Sequence, residues 1–157
     1  MAIHVVLYQP QIPSNTGNIA RTSAGTGTQL HLIGPLGFSS EDKMLKRAGL
    51  DYWEHVNITY YESLDEFYEK NVGGAFFYIT EFGQENYTCF DYSDPAKDYY
   101  FIFGSETTGL PTDVIQTNLD TAIRVPMNEN IRSLNLSNTA AILIYEALRQ
   151  QDYPNLK

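Results

Sequence analysis

The chain has little with which to build a disulfide, a metal centre or a membrane span. It holds a single cysteine, Cys89, so no internal disulfide can form, and a lone thiol accords with a reducing cytoplasm. Nothing near Cys89 suggests an activated thiol. The three histidines, His4, His31 and His55, stand far apart and lack the spacing of metal ligands. His31 alternates with apolar neighbours, which points to a structural role in a strand. No apolar run approaches the roughly 18 residues that a membrane span needs. The N-terminal MAIHVVLYQPQ has neither a basic segment nor a long apolar core, so no signal peptide is expected. The sequons at Asn57, Asn86 and Asn135 then carry no meaning.

Positive charge is also scarce. Ten Lys and Arg face nineteen Asp and Glu, for a net charge of −9. That total argues against a nucleic-acid partner, because basic patches supply most of such affinity. The distribution qualifies it. Between Glu54 and Glu106 there are eleven carboxylates and two lysines, Lys70 and Lys97. Lys43, Lys46 and Arg47 form one basic group; Arg124, Arg132 and Arg149 fall in the last third, and Arg21 near the start. The pattern allows either an acidic solvated face or an acidic back with a basic front.

The usual nucleotide signatures are missing too. Gly104-Ser105-Glu106-Thr107-Thr108-Gly109 has the glycine spacing of a phosphate loop, but Leu110-Pro111 follow where Lys and Ser or Thr are required. The same stretch fails as a nucleophile elbow. Gly25-Thr26-Gly27 stops short of the dinucleotide fingerprint, with Leu30 where the third glycine would fall.

What is present is an alternation of apolar runs and amphipathic stretches. A chain of 157 residues, 43% hydrophobic, reads as one domain over 1–157. Strands are expected at His4–Tyr8, Gln29–Ile33, Val56–Tyr60, Ala75–Thr80, Tyr99–Phe103 and Ala122–Val125. Ala75–Thr80 and Tyr99–Phe103 are continuously apolar, as in strands covered on both faces. Helices are expected over Thr16–Ala24, capped by Asn15 or Thr16, and from Ser40 through Arg47, ended by Gly49. Ser63 and Glu66 form a capping box for a helix to about Lys70. Pro111 opens a short helix. The last helix shows one apolar stripe in Ala140, Leu143, Ile144, Ala147 and Leu148. A mixed stripe of Asn138, Ile142, Tyr145 and Arg149 runs beside it. Glu81–Lys97 reads as loop. Six strands alternating with helices predict an α/β fold with a mainly parallel sheet.

Ligands in open α/β sheets bind beyond the C-terminal ends of the strands. Three polar or glycine-bearing loops fall there: TEFG after Ile79, FGSETTGLP after Phe103, and PMNENIRSLN after Val125. Together they could make a pocket for a flat polar heterocycle, with Gly104 allowing close approach. Arg21, at i+3 from Asn18 on the first helix, could clamp a phosphate.

The stretches NTGNIARTSAG, FIFGSETTGLP and IRVPMNENIRSLNLSNTAAILIYEA resemble the three motifs of the SPOUT methyltransferases. With KMLKRAGLDYWEHV and the minimal length, the chain looks like the tRNA (cytidine(34)-2′-O)-methyltransferase subfamily, from about Val5 to Tyr153. The resemblance implies a C-terminal deep trefoil knot, S-adenosyl-L-methionine as cofactor, tRNA as substrate, a homodimer with sites built by both subunits, and neither metal nor membrane. It implies cofactor contacts from Ile79, Gly104, Val125 and Ser133, with Leu134 close by. Arg21 matches the first-motif arginine, and Glu106, Asn135 and Asn138 match polar positions that order the site. Lys46, Arg47 and Tyr145 become candidates for the RNA side. Thr108 departs from relatives that often carry a basic residue there. A methyltransferase for another RNA position, or an inactive RNA-binding scaffold, would carry the same motifs.

Overall fold

The structure, a computed structural model, describes residues 2–39, 43, 47 and 54–157. Among the described residues seven strands form one sheet: β1 (Ile3–Tyr8), β2 (Gln29–Ile33), β3 (Ile58–Tyr61), β4 (Ala75–Ile79), β5 (Glu85–Asn86), β6 (Tyr99–Phe103) and β7 (Ala122–Arg124). Their spatial order is β3-β2-β1-β6-β4-β7-β5, and every pairing is parallel. Among the described residues, and apart from the helical Lys43 and Arg47, four helices accompany them: α1 (Pro13–Thr26), α2 (Leu64–Lys70), α3 (Thr112–Thr117) and α4 (Leu136–Gln150). The expected parallel α/β architecture is therefore the one observed.

Period-two alternation divides the side chains between two cores. On one face Val5, Leu7, Leu30, Leu32, Phe77, Phe101 and Phe103 pack under α1 and α4, which contribute Ile19, Ala20, Leu143, Ile144 and Ala147. On the other, Val6, Ile33, Tyr78, Tyr100 and Ile102 pack with Phe67 of α2 and with Leu110 and Ile115 around α3. The predicted apolar stripe of the last helix is buried along its length. In the mixed stripe, Arg149 is bound by its own helix: its Nε and Nη2 donate to the two carboxylate oxygens of the buried Glu146 at 2.9 and 3.0 Å.

Several boundaries differ from expectation for identifiable reasons. The first helix begins at Pro13, not after Asn15, because proline suits the opening position, where no N–H is needed. Its cap residue is Ile12, which offers no capping side chain. The third strand starts two residues late, at Ile58. Ser63 accepts from the Glu66 N–H at 3.1 Å, but the Glu66 carboxylate reaches the N–H of Glu62 instead of that of Ser63. Within Glu81–Lys97 the two residues of β5 pair with β7, and Tyr87–Cys89 form a single 3-10 turn. Of the helix expected from Ser40 through Arg47, Lys43 and Arg47 are helical and exposed; Lys46 lies outside the described residues.

Polar side chains of β1, β2 and β3 form one hydrogen-bonded chain that ends on the partly exposed Asp98. His4 Nε2 lies 2.9 Å from Asp98 Oδ1, His4 Nδ1 2.9 Å from His31 Nε2, and His31 Nδ1 2.9 Å from the Tyr61 hydroxyl. With Asp98 ionised and both rings neutral, each nitrogen has a partner: His4 and His31 donate from Nε2, and Tyr61 donates to His31. Burial, and secondarily the neighbouring His4, pushes the His31 pKa down to about 3. The structural role expected for His31 is the one it has.

Candidate active site

The parallel strands direct their C-terminal ends to one edge of the sheet. From β1 the chain runs through α1 to β2 on one side, while β6 lies on the other, so the strand order reverses between β1 and β6. Crevices form at such a reversal. Here a cleft of about 570 Å³ opens, inside the range usual for small-molecule sites. Four segments line it: the start of α1, the turn after β4, the loop after β6 and the loop from β7 to α4.

The loop after β6 is closed on itself. The Gly109 N–H donates to the Ser105 carbonyl at 2.8 Å, and Gly109 takes a φ of 68°. A Cβ on Gly104 would overlap the carbonyl carbon of Gly109 and the nitrogen of Leu110. Gly104 is thus required by the backbone of its own loop.

Glu106 ties this loop to the start of α1. Its carboxylate accepts from the N–H groups of Gln11 and Ile12 at 2.9 and 3.0 Å and from Asn15 Nδ2 at 3.2 Å. Asn15 in turn accepts from Asn135 Nδ2 at 3.1 Å. Asn135 caps α4, its Oδ1 accepting from the N–H groups of Ser137 and Asn138 at 2.9 and 3.3 Å. One run of hydrogen bonds, Glu106–Asn15–Asn135, therefore joins three motifs that lie far apart in sequence.

Ile79, Gly104, Val125, Ser133 and Leu134 all line the cleft, as do Glu106 and Asn135. Arg21, Asn138, Arg47 and Tyr145 do not; each is exposed, and Arg21 lies on α1 while Asn138 and Tyr145 lie on α4. Thr108 is exposed at the cleft. Sequence reasoning took Asn15 for a helix cap and missed it as the central partner of Glu106 and Asn135. Phe82 and Arg132 fall in two of the loops expected at the pocket but were not singled out, and Arg124 was missed as a lining residue. Asn15 offered one signal, its place in NTGNIAR; the others have no periodicity to find them. Among the described residues no cluster of His, Cys, Asp and Glu could hold a metal ion, and no helix is long and apolar enough to cross a membrane.

The arrangement offers backbone donors and acceptors over an apolar floor of Ile79, Phe103, Leu110 and Val125, with two guanidinium groups on the lining. It suits a flat heterocycle with a polar tail. No histidine lines it.

Residues 2–145 match the family model described as the SpoU rRNA methylase family. A protein of Bacillus subtilis strain 168 is 66% identical over 157 residues, covering 100% of this chain and 98% of its own length. It carries the tRNA (cytidine(34)-2′-O)-methyltransferase name provisionally. The tRNA (cytidine(34)-2′-O)-methyltransferase of Escherichia coli K12 is 42% identical over 153 residues, covering 97% and 96%. A solved structure described as giving insight into 2-OH methylation of C/U34 on tRNA superposes with a TM-score of 0.89 at 40% identity, covering 96% of this chain and 97% of that one. The Streptomyces viridochromogenes SpoU methyltransferase AviRb, solved in complex with AdoMet, shares the fold at a TM-score of 0.80 and 24% identity, covering 96% and 61%.

Proposed function

The chain belongs to the SpoU rRNA methylase family, and from that we propose that it methylates the ribose 2′-hydroxyl of the wobble nucleotide, cytidine or modified uridine 34, of tRNA. The observation that carries this is the cleft at the C-terminal edge, where residues from every motif of the resemblance converge in a chain 42% identical to the E. coli enzyme of that name. Near-complete coverage on both sides supports carrying over the substrate.

The methyl donor we infer is S-adenosyl-L-methionine, which supplies an activated methyl group on a sulfonium and leaves as a neutral thioether. Ile79, Gly104, Val125, Ser133 and Leu134 would hold it. The cleft has the volume and the mixture of apolar floor and backbone polar groups for an adenine and an amino-acid tail. Because the leaving group is neutral, the protein need supply no acid. Its task is to position the hydroxyl in line and to favour loss of its proton. Glu106 is engaged by three donors and is a positioning residue. Arg21 orients phosphate and hydroxyl; a guanidinium keeps its proton in ordinary protein settings.

Arg21 sits outside the cleft lining, on an exposed part of α1. This supports a homodimer in which the arginine of one subunit serves the cleft of the other, with Asn138 and Tyr145 likewise exposed, on α4. Arg47 and Lys46 would extend the RNA surface. The trefoil knot belongs to this reading: after β7 the chain crosses the edge of β4 and β6 on its way to α4, which packs on α1 and β1. A tRNA substrate and a lone cysteine accord with a cytoplasmic enzyme.

Incubating the protein with labelled S-adenosylmethionine and tRNA, then mapping the product by mass spectrometry, tests the assignment. A 2′-O-methyl group at position 34 is the expected result. Methylation elsewhere would make it an enzyme for another RNA position. The exposed Thr108 and the charge of −9 favour the scaffold alternative, for which cofactor would not bind and no RNA would be methylated.

A further inference from the structure

The cleft carries apolar surface for which the proposed cofactor contacts have no use. Among the described residues eight large apolar side chains are exposed, and three of them, Ile12, Phe82 and Met127, line this cleft. Phe82 is 66% exposed. Exposed apolar side chains scattered singly are ordinary, but three gathered on one cleft, one of them an aromatic ring, mark a surface for contact.

The ring is presented by a turn that is held in place. The Gly83 N–H donates to the Thr80 carbonyl at 3.1 Å, and the Phe82 N–H donates to Thr80 Oγ1 at 3.2 Å. Arg124 Nη1 donates to the Gly83 carbonyl at 3.1 Å. A Cβ on Gly83 would overlap the backbone of Ile123, so the turn lies directly against β7. Phe82 thus stands on the cleft beside a guanidinium, with Arg132 on the same lining. An aromatic face next to arginine is the pairing that holds unstacked nucleotides: the base stacks on the ring and the phosphate meets the cation.

We propose that Phe82 is a stacking platform for a nucleobase of the RNA substrate, with Arg124 and Arg132 meeting the adjoining backbone. This rests on the RNA substrate proposed above. The adenine of the cofactor has the same stacking chemistry, but the groups proposed to hold it come from the loops after β6 and β7 and from Ile79. The two-thirds exposure of Phe82 leaves its ring open from outside, where the RNA must arrive.

The test uses full-length protein loaded with S-adenosylhomocysteine and a fluorescein-labelled anticodon stem-loop, with binding read by anisotropy. Phe82→Ala is expected to weaken RNA binding roughly ten-fold, and Phe82→Trp to restore it. Affinity for S-adenosylhomocysteine, measured by calorimetry, should change less than about two-fold in both. Unchanged RNA binding in Phe82→Ala would overturn the proposal. So would an equal loss of cofactor affinity, which would assign the ring to adenine. Methyl transfer to position 34 by the wild-type protein is scored separately. Its absence would overturn the proposed reaction while the binding comparison still decides the role of Phe82.

Discussion

Gly104 and Gly109 are in direct backbone contact, so close that neither chain segment leaves room for a Cβ on Gly104. The loop after β6 therefore depends on a glycine for its own closure. Gly104→Ala is expected to lower stability by about 1–3 kcal/mol, the usual cost of forcing a methyl group into packed structure. For a chain of this size that is a fall in melting temperature of roughly 3–10 °C. Cofactor affinity should fall with it, because Ser105 to Leu110 line the cleft. Calorimetric melting with and without S-adenosylhomocysteine checks this. A normal melting temperature with lost cofactor binding would show that the glycine clears space for the ligand and not for the loop.

Glu106 and Asn15 should be energetically coupled. Glu106→Ala leaves two backbone N–H groups and the Asn15 amide without their acceptor. Charge-assisted bonds of this kind are worth about 1.5–3 kcal/mol each at most, and partial exposure here lowers that figure. A double-mutant cycle of Glu106→Ala and Asn15→Ala, read by urea unfolding, should give a coupling energy of about 0.5–2 kcal/mol. Strict additivity would mean that the two side chains do not act as one unit. Methyl transfer should drop more than stability does, since the network sets the relation between the start of α1 and the loop after β6.

The central strands were legible because their residues are apolar on both faces, a pattern with few alternatives: Tyr99–Phe103 could hardly be anything else. The partnership of β1 with β6, across more than ninety residues, has no local signal. Neither does β5, whose Glu85 and Asn86 pair with Ile123 and Arg124 through backbone alone. The start of α1 was misplaced because Asn15 resembles a cap, whereas its amide is committed to Glu106 and Asn135. The loops of the cleft were recognisable as polar segments after strands. Their mutual contacts were not, since a hydrogen bond between residues 91 or 120 positions apart leaves no trace in spacing.

Arg21 should act across a subunit boundary. Arg21→Ala is expected to abolish methylation while leaving S-adenosylhomocysteine affinity within a few-fold, because the residue does not line the cleft. Mixing it with Gly104→Ala subunits provides the sharper test. If each site takes cofactor contacts from one protomer and the arginine from the other, half of a random mixture is heterodimer, with one intact site in two. Activity should then recover to about a quarter of wild type. Mixed dimers purified through two different tags and showing no recovery would confine the arginine to its own protomer's cleft.

The buried histidine pair should make the fold sensitive to mild acid. His31 is held neutral by burial, its pKa pushed down to about 3, and His4 is shifted in the same direction by burial against the opposing influence of Asp98. In the unfolded chain both titrate near pH 6.5. As pH falls below that value the unfolded state takes up protons that the folded state refuses, so stability declines. Between pH 7.5 and 5.5 His31 alone should remove about 1.4 kcal/mol, and His4 adds to the same slope. Glu146, whose pKa is lowered first by its bonds to Arg149, contributes stability that is lost only at lower pH, below the unfolded carboxylate range, so it leaves this window untouched. His31→Phe leaves the Tyr61 O–H without its acceptor and His4 Nδ1 without its donor, and should be less stable at pH 7.5 by about 1–3 kcal/mol. Its further loss on going to pH 5.5 should nevertheless be smaller than that of wild type by about 1.4 kcal/mol. Urea unfolding of both proteins at the two pH values measures the difference, and equal slopes would mean that the pair takes up protons in the folded state.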